Sequence, residues 1–190
     1  MKVGLYFGSF NPVHHGHLIV ASYVANQTDC DEVWLIVSPQ NPLKKTTTLL
    51  NDYHRLHLVR LAIEGSHNLK VKDIEFKLPK PSFTIDTMTY INEKYPNYRF
   101  SIIVGADSWQ NISKWKNYTE LIDNHEFIIY PRLGFDVELP PNSRHFCIQA
   151  PLIEISASEI RAFIKEKKSI RYLLPENVRE EIEMSGYYKS

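Results

Sequence analysis

The sequence predicts an α/β fold, a doubly wound parallel sheet, and three observations predict it. Short, almost wholly apolar runs such as Val33-Trp34-Leu35-Ile36-Val37 and Phe100-Ser101-Ile102-Ile103-Val104 have the character of strands buried on both faces. Segments whose apolar residues recur at helical spacing lie between such runs. No internal repeat or low-complexity linker breaks the alternation, so the 190 residues, 43% of them hydrophobic, read as a single domain around one sizeable core.

The elements follow in order. Residues 3–7 are a β-prone run that leads into a Gly/Ser/Asn/Pro loop. Residues 14–25 read as a helix on which Leu18, Ala21, Ser22 and Ala25 share a face. Residues 33–37 are a strand, and residues 52–64 a helix with Leu56, Val59 and Ile63 on one side. Residues 69–74 read as strand, 85–95 as helix, 100–104 as strand and 127–130 as strand, with a helical stretch ending at 121–124. After a brief β signal at 145–148 the chain changes character: residues 156–168 and 175–185 read as two amphipathic helices. No linker sets them apart, so residues from about 155 to 190 are expected to be a helical part of the same domain.

Composition excludes several functions. Lys and Arg number 22, as do Asp and Glu, so the formal net charge is zero and the chain lacks the electrostatic footprint of a nucleic-acid binder. A local cluster of positive groups can still take a small anion. The apolar run at residues 1–7 is too short for a secretory signal, and no apolar stretch has membrane-spanning length. Cys30 and Cys147 lack C-x-x-C spacing and read as packed or half-exposed thiols of a reducing compartment. The expectation is a cytoplasmic protein without nucleic-acid or membrane partners; self-association into a homo-oligomer stays open.

In doubly wound sheets ligands bind beyond the carboxyl ends of the strands, where the chain order reverses. That rule points to the loops beginning at Gly8, Ser38 and Gly105. The first of these, Gly8-Ser9-Phe10-Asn11-Pro12-Val13-His14-His15-Gly16-His17, carries the strongest signal. Gly8 lets the backbone approach a ligand, Pro12 stiffens the turn, and the amides that open the following helix form an anion site. His14 and His17, three residues apart, can reach one ligand together, while Gly16 leaves room for it. Imidazole donors suit a reaction that brings two phosphates together, since one pair of unit charges at 4 Å costs on the order of 4 kcal/mol at an effective dielectric of 20. A zinc site is the competing reading, but no second histidine pair or paired cysteines supply the remaining ligands.

The same loop resembles the H-x-G-H signature of the nucleotidyltransferase superfamily, in the form G-[GS]-[TS]-F-[DN]-P-x-H-x-G-H typical of nicotinate- and nicotinamide-nucleotide adenylyltransferases. Ile155-Ser156-Ala157-Ser158-Glu159-Ile160-Arg161 is similar to that family's I-S-[SA]-[ST]-x-I-R. Ser82-Phe83-Thr84-Ile85-Asp86-Thr87 looks like its S-Y-T-x-D-T, and Gly105-Ala106-Asp107 with Trp115 like its G-x-D and following tryptophan. Asn41-Pro42-Leu43-Lys44-Lys45 is similar to N-P-P-H-K, and Arg55 falls in an R-x-x-[ML] helix. The matches span nearly the whole chain. Asn11 stands where aspartate is common, Phe83 where tyrosine is, and Lys44 where histidine is; both histidines of the family's motif are retained.

The resemblance implies a Rossmann-like nucleotidyltransferase fold with C-terminal helices, and an enzyme of NAD biosynthesis that joins ATP to nicotinate mononucleotide. His14 and His17 would be catalytic. Gly8, Ser9, Phe10, His14, Gly16, His17, Ser156, Ser158 and Arg161 would bind ATP. Thr84, Asp107, Trp115 and Lys116 would bind the mononucleotide, and Lys44 and Lys45 could meet phosphate. Mg2+ would arrive with the triphosphate and take few protein ligands, so no metal site is expected from the chain itself. The alternatives are a nicotinamide-nucleotide or phosphopantetheine adenylyltransferase and, in another class, a non-catalytic nucleotide-binding module. A class I aminoacyl-tRNA synthetase, which carries a related motif, is excluded by length. A cytidylyltransferase is disfavoured because its usual R-T-x-G-I-S-T-T type segment is absent.

Overall fold

The computed structural model describes residues 1–40, 48–141 and 143–189. Its strands are β1 (Lys2–Gly8), β2 (Glu32–Val37), β3 (Leu69–Lys72), β4 (Arg99–Gly105), β5 (Glu126–Tyr130) and β6 (Phe146–Cys147). Its helices are α1 (His15–Gln27), α2 (Asp52–Ala62), α3 (Thr84–Lys94), α4 (Ala106–Gln110), α5 (Tyr118–Asn124), α6 (Ala157–Lys165) and α7 (Glu176–Ser185), with short 3-10 turns at Ile74–Lys77 and Ile112–Lys114. The strands form one sheet in the order β3-β2-β1-β4-β5-β6, and every pairing is parallel. From β1 the chain builds outward through β2 and β3, then returns to β4 on the other side of β1. The switch point therefore lies between the carboxyl ends of β1 and β4. The predicted doubly wound α/β fold with C-terminal helices is the fold observed.

Strand geometry explains why these strands are apolar throughout. Successive side chains point to opposite faces, and here both faces are covered. Tyr6, Leu35, Val37, Ile103 and Ile128 pack under α1, α2 and the C-terminal helices. Leu5, Trp34, Ile36, Ile102, Val104 and Phe127 pack on the opposite layer with Ile85, Met88 and Ile91 of α3 and Leu121 of α5. Ile160 of α6 and Val178 and Ile182 of α7 belong to the first layer's core, so the C-terminal helices share it with α1 and α2.

Three expectations need correction. On α1 the buried positions are Gly16, Val20, Ala21 and Val24, whereas Ser22 is exposed and Leu18 and Ala25 only half-buried. The helix is rotated so that Val20 and Val24 meet the sheet. β3 stops at Lys72, because the chain turns at Asp73 and Ile74 opens a 3-10 turn; Ile74 still buries its side chain. On α2 the buried face is Arg55, Leu56, Leu58 and Val59, with Ile63 half-buried at the carboxyl cap. A fully buried arginine at a core position is the element's unexpected feature. Among the described residues no helix is long and apolar enough to cross a membrane.

Candidate active site

A cavity of about 560 Å³ opens at the switch point, beyond the carboxyl ends of β1 and β4. Its volume falls within the range usual for small-molecule sites. Gly8, Ser9, Phe10, His14 and His17 line one side together with Ser156, Ser158 and Arg161; Thr84, Asp107, Trp115 and Lys116 line another. Segments far apart in sequence thus meet in one space. Lys44 and Lys45, with the rest of the 41–47 segment, lie outside the described residues.

His14 is the N-cap of α1, with extended backbone, and the helix proper starts at His15. The two imidazoles are nevertheless face to face, with centroids 3.7 Å apart and an interplanar angle of 28°. The His14 amide donates to Nδ1 of His17 at 3.3 Å, so the neutral His17 ring carries its proton on Nε2. Phe10 packs edge-on against His17, at 5.0 Å and 74°, and fixes the ring's plane. His14 is 4% exposed, and among the described residues its buried Nδ1 has no hydrogen-bond partner. Burial, reinforced by the Arg132 guanidinium and by His15, lowers its pKa to about 4. His14 is therefore neutral at pH 7.

The loop's glycines serve these rings more than they serve a ligand. A Cβ at Gly8 would stand 2.8 Å from the Phe10 ring, and one at Gly16 would stand 3.0 Å from the His14 ring and 3.3 Å from Ile153. Gly8 borders the main cavity, but Gly16 borders a smaller one behind His14, so its missing side chain makes room for imidazole rather than for nucleotide. Phe10 is 1% exposed with φ of 45°. Its ring belongs to the core, and only its backbone is placed to meet a ligand. The helix-opening amides are partly engaged too: the His15 N–H donates to Leu173 O at 3.1 Å. Side chains must then carry much of any phosphate binding at this point.

On the same side, Ser156 caps α6 by accepting from the Glu159 amide at 3.1 Å. Arg161, one turn along, donates to Asn11 O at 2.6 Å and to Ser158 Oγ at 3.2 Å. The C-terminal motif is thereby bonded to the N-terminal one. Asn11 itself links the loop to the segment before α2, donating to Thr48 O at 2.9 Å and accepting from the Leu50 amide at 3.1 Å. An aspartate at this position could make only the second bond; the donation to Thr48 O is what the asparagine adds.

The opposite side is built on α3 and α4. Thr84 is the first residue of α3, and Asp107 lies in the first turn of α4, directly after β4. A Cβ at Gly105 would displace the Asp107 carboxylate and press on the Tyr130 ring, so glycine where strand passes into helix leaves both side chains in place. Trp115 follows the second 3-10 turn and is half-buried against the core of its layer. Lys116 pairs with Asp86 of α3 at 2.9 Å, and its ammonium lies 4.9 Å from the Phe83 ring centroid. It braces the start of α3 against the tryptophan.

Four contributors are absent from the motif reading. Arg132 follows β5 and lines the cavity beside His14. It donates from Nη2 to the Tyr130 hydroxyl at 2.9 Å, and its Nε lies 3.8 Å from Asp107. The Tyr130 and Tyr6 hydroxyls are 3.4 Å apart. The rule that ligands gather beyond strand ends applies to β5 as it does to β1, and it is the signal that could have found Arg132. Glu75, the fourth, borders the cavity from inside the wall and has no motif around it.

Fold and site together define the class: the protein is a nucleotidyltransferase. A family model described as cytidylyltransferase-like matches residues 5–163. A relative from Flavobacterium psychrophilum, described as a "probable nicotinate-nucleotide adenylyltransferase", is 49% identical over 192 residues and covers 100% of both chains. One of the same description from Bacteroides thetaiotaomicron is 43% identical over 185 residues, covering 96% of this chain and 91% of that one. The solved structure of Plasmodium falciparum nicotinic acid mononucleotide adenylyltransferase complexed with NaAD is similar in fold. It matches with a TM-score of 0.84 at 23% identity, over 98% of this chain and 97% of that one. The chain belongs to the cytidylyltransferase-like family, among its nicotinate-nucleotide adenylyltransferases.

Proposed function

We propose that the protein transfers AMP from ATP to nicotinate mononucleotide, giving deamido-NAD and pyrophosphate, as a step of NAD biosynthesis in the cytoplasm. The observation that carries this reading is the convergence of the His14–His17 pair and the Ser158–Arg161 pair with Thr84, Asp107 and Trp115 around one cavity.

A 5′-phosphate oxygen of the mononucleotide attacks the α-phosphorus of ATP in line. One P–O bond forms as the bond to pyrophosphate breaks, with no covalent enzyme intermediate. His17, with its proton held on Nε2, donates to the phosphate oxygens as charge moves toward the leaving pyrophosphate. Its plane is already set by Phe10 and the His14 amide, so little reorganisation accompanies the reaction. Arg132 and Arg161 add fixed positive charge at the cavity wall, offsetting the repulsion between the two substrates. Asp107 holds the mononucleotide ribose, Trp115 stacks on the pyridine ring, and the amide and hydroxyl of Thr84 receive the nicotinate carboxylate.

Among the described residues no group of three or more His, Cys, Asp or Glu could hold a metal ion. The cavity wall carries two carboxylates, Glu75 and Asp107; the first accepts from hydroxyls and the second faces Arg132. This donor set fits a magnesium ion that stays on the phosphate oxygens of ATP with water completing its shell. Bound there, magnesium supplies neutralisation of the triphosphate charge.

The test is pyrophosphate release by purified protein with ATP and magnesium, comparing nicotinate mononucleotide, nicotinamide mononucleotide and phosphopantetheine as acceptors. Strong preference for nicotinate mononucleotide is expected. Preference for another acceptor would move the assignment to a sister activity, and no release with any of them would overturn it.

A further inference from the structure

Glu75 lies in the 3-10 turn after β3, is 2% exposed and lines the inner wall of the cavity. Its Oε2 accepts from Ser82 Oγ at 2.7 Å and its Oε1 from Thr87 Oγ1 at 3.0 Å, and the Ser38 hydroxyl bonds to it as well. No cation acts on it among the described residues. Burying a carboxyl without a cation is costly, and an apolar residue would fill the same space at less cost. What the carboxylate does that an apolar group cannot is accept from three elements at once: the exit of β2, the loop before α3, and the first turns of α3. Burial pushes its carboxyl above the ordinary range while the three hydroxyls pull the other way.

The Ser38–Gln40 segment is also held from its other side. The buried Arg55 guanidinium donates to Ser38 O at 2.8 Å and Pro39 O at 3.1 Å, and it reaches Ser9 O at 2.6 Å and Leu50 O at 2.8 Å. Ser82 Oγ lies 3.4 Å from Gln40 O. A continuous chain of bonds thus runs from the Ser9 loop through Arg55, the Ser38–Gln40 backbone and Glu75 to Ser82 and Thr87. A buried guanidinium and a buried carboxyl group hold this segment from its two sides.

We propose that Glu75 is a positioning residue for the acceptor end of the active site: its carboxylate locks the start of α3 to the exit of β2 and so sets where Phe83 and Thr84 meet the mononucleotide. This rests on the proposed function in placing the acceptor at Thr84 and Trp115. Glu75 itself touches neither substrate. It acts through Ser82 and Thr87, while Arg55 holds the shared segment to the donor loop.

The test is steady-state kinetics of Glu75→Gln, which keeps the side chain's shape but sets an NH2 group against a hydroxyl. KM for nicotinate mononucleotide should rise about tenfold, with KM for ATP within about twofold and kcat within about threefold of wild type. Thr87→Val should give the same pattern more weakly, and combining it with Glu75→Gln should add little beyond the stronger single change. Equal rises in both KM values, unchanged kinetics with a lowered Tm, or full additivity would overturn the role. Should Glu75→Gln fail to fold, Thr87→Val alone reads the same KM split. If wild type prefers another acceptor, the substrate assignment falls, and the KM ratio measured with that acceptor still decides the role of Glu75.

Discussion

Two stacked imidazoles three residues apart do different work because their surroundings differ. His17 is oriented by Phe10 and by the amide of His14, with Nε2 as its donor. His17→Ala should therefore lower kcat by about two to three powers of ten, the loss typical of one preorganised donor, with the thermal transition kept. A variant with near wild-type turnover would remove His17 from catalysis. His14 is buried beside Arg132 and stays neutral down to about pH 4. The unfolded chain binds a proton at this residue below its ordinary value of 6.5, so between pH 6.5 and 4 the unfolded state holds more protons and stability rises with pH. Urea unfolding at pH 7 and pH 5 should show His14→Asn losing about 2 kcal/mol less than wild type across that interval. Equal losses would contradict the depressed value. Both histidines were legible in the H-x-G-H spacing. Arg132 was not, because it stands alone after β5, and only the folded sheet brings it beside His14.

The segment from α4 to Lys116 acts as one unit. Gly105 lets β4 pass directly into α4 so that Asp107 faces the cavity, and two short helical turns later the chain delivers Trp115 to the same space. Lys116 and Asp86 brace this unit against α3. Exposed pairs of this kind contribute little to stability, so the brace acts on geometry. Trp115→Ala should weaken mononucleotide binding roughly tenfold, in keeping with the loss of one stacked ring, and weaken ATP binding far less. Calorimetric titration with each substrate checks this, and equal losses would count against stacking there. Element types were legible from periodicity, but which face of α1 is buried was not. Leu18, Ala21, Ser22 and Ala25 are as evenly spaced as Val20, Ala21 and Val24, and only the sheet beneath decides between them. Arg55 shows the same limit, since nothing local tells a core arginine bonded to four carbonyls from a solvated one.

At the scale of the molecule, one sheet separates two apolar layers, and the C-terminal helices belong to one of them. Ile160, Leu174, Val178 and Ile182 share a cluster with α1 and α2. Arg161 and Leu173 bond to the backbone of the N-terminal loop and helix. We therefore expect the chain to unfold as a single domain. Trp34, Trp109 and Trp115 all lie on the opposite layer, so their fluorescence reports on the side away from α6 and α7. Denaturation followed by tryptophan fluorescence and by far-ultraviolet circular dichroism should give coincident midpoints. Separate midpoints would make the C-terminal helices an independent unit.

The sequence alone determined the alternation of strands and helices, the class of sheet, the histidine loop and the several motifs that mark the family. These are local matters: hydrophobic period, turn residues and fixed spacings are written in neighbouring positions. Tertiary structure alone decided that Arg161 bonds directly to the Asn11 backbone of the histidine loop, that His14 is neutral beside Arg132, and that Glu75 and Arg55 hold one backbone segment from two sides. Those outcomes depend on which groups are brought together and how much water is removed from around them. A carboxylate or guanidinium has the same one-letter code on the surface as in the core, and only burial and its partners make it part of a site.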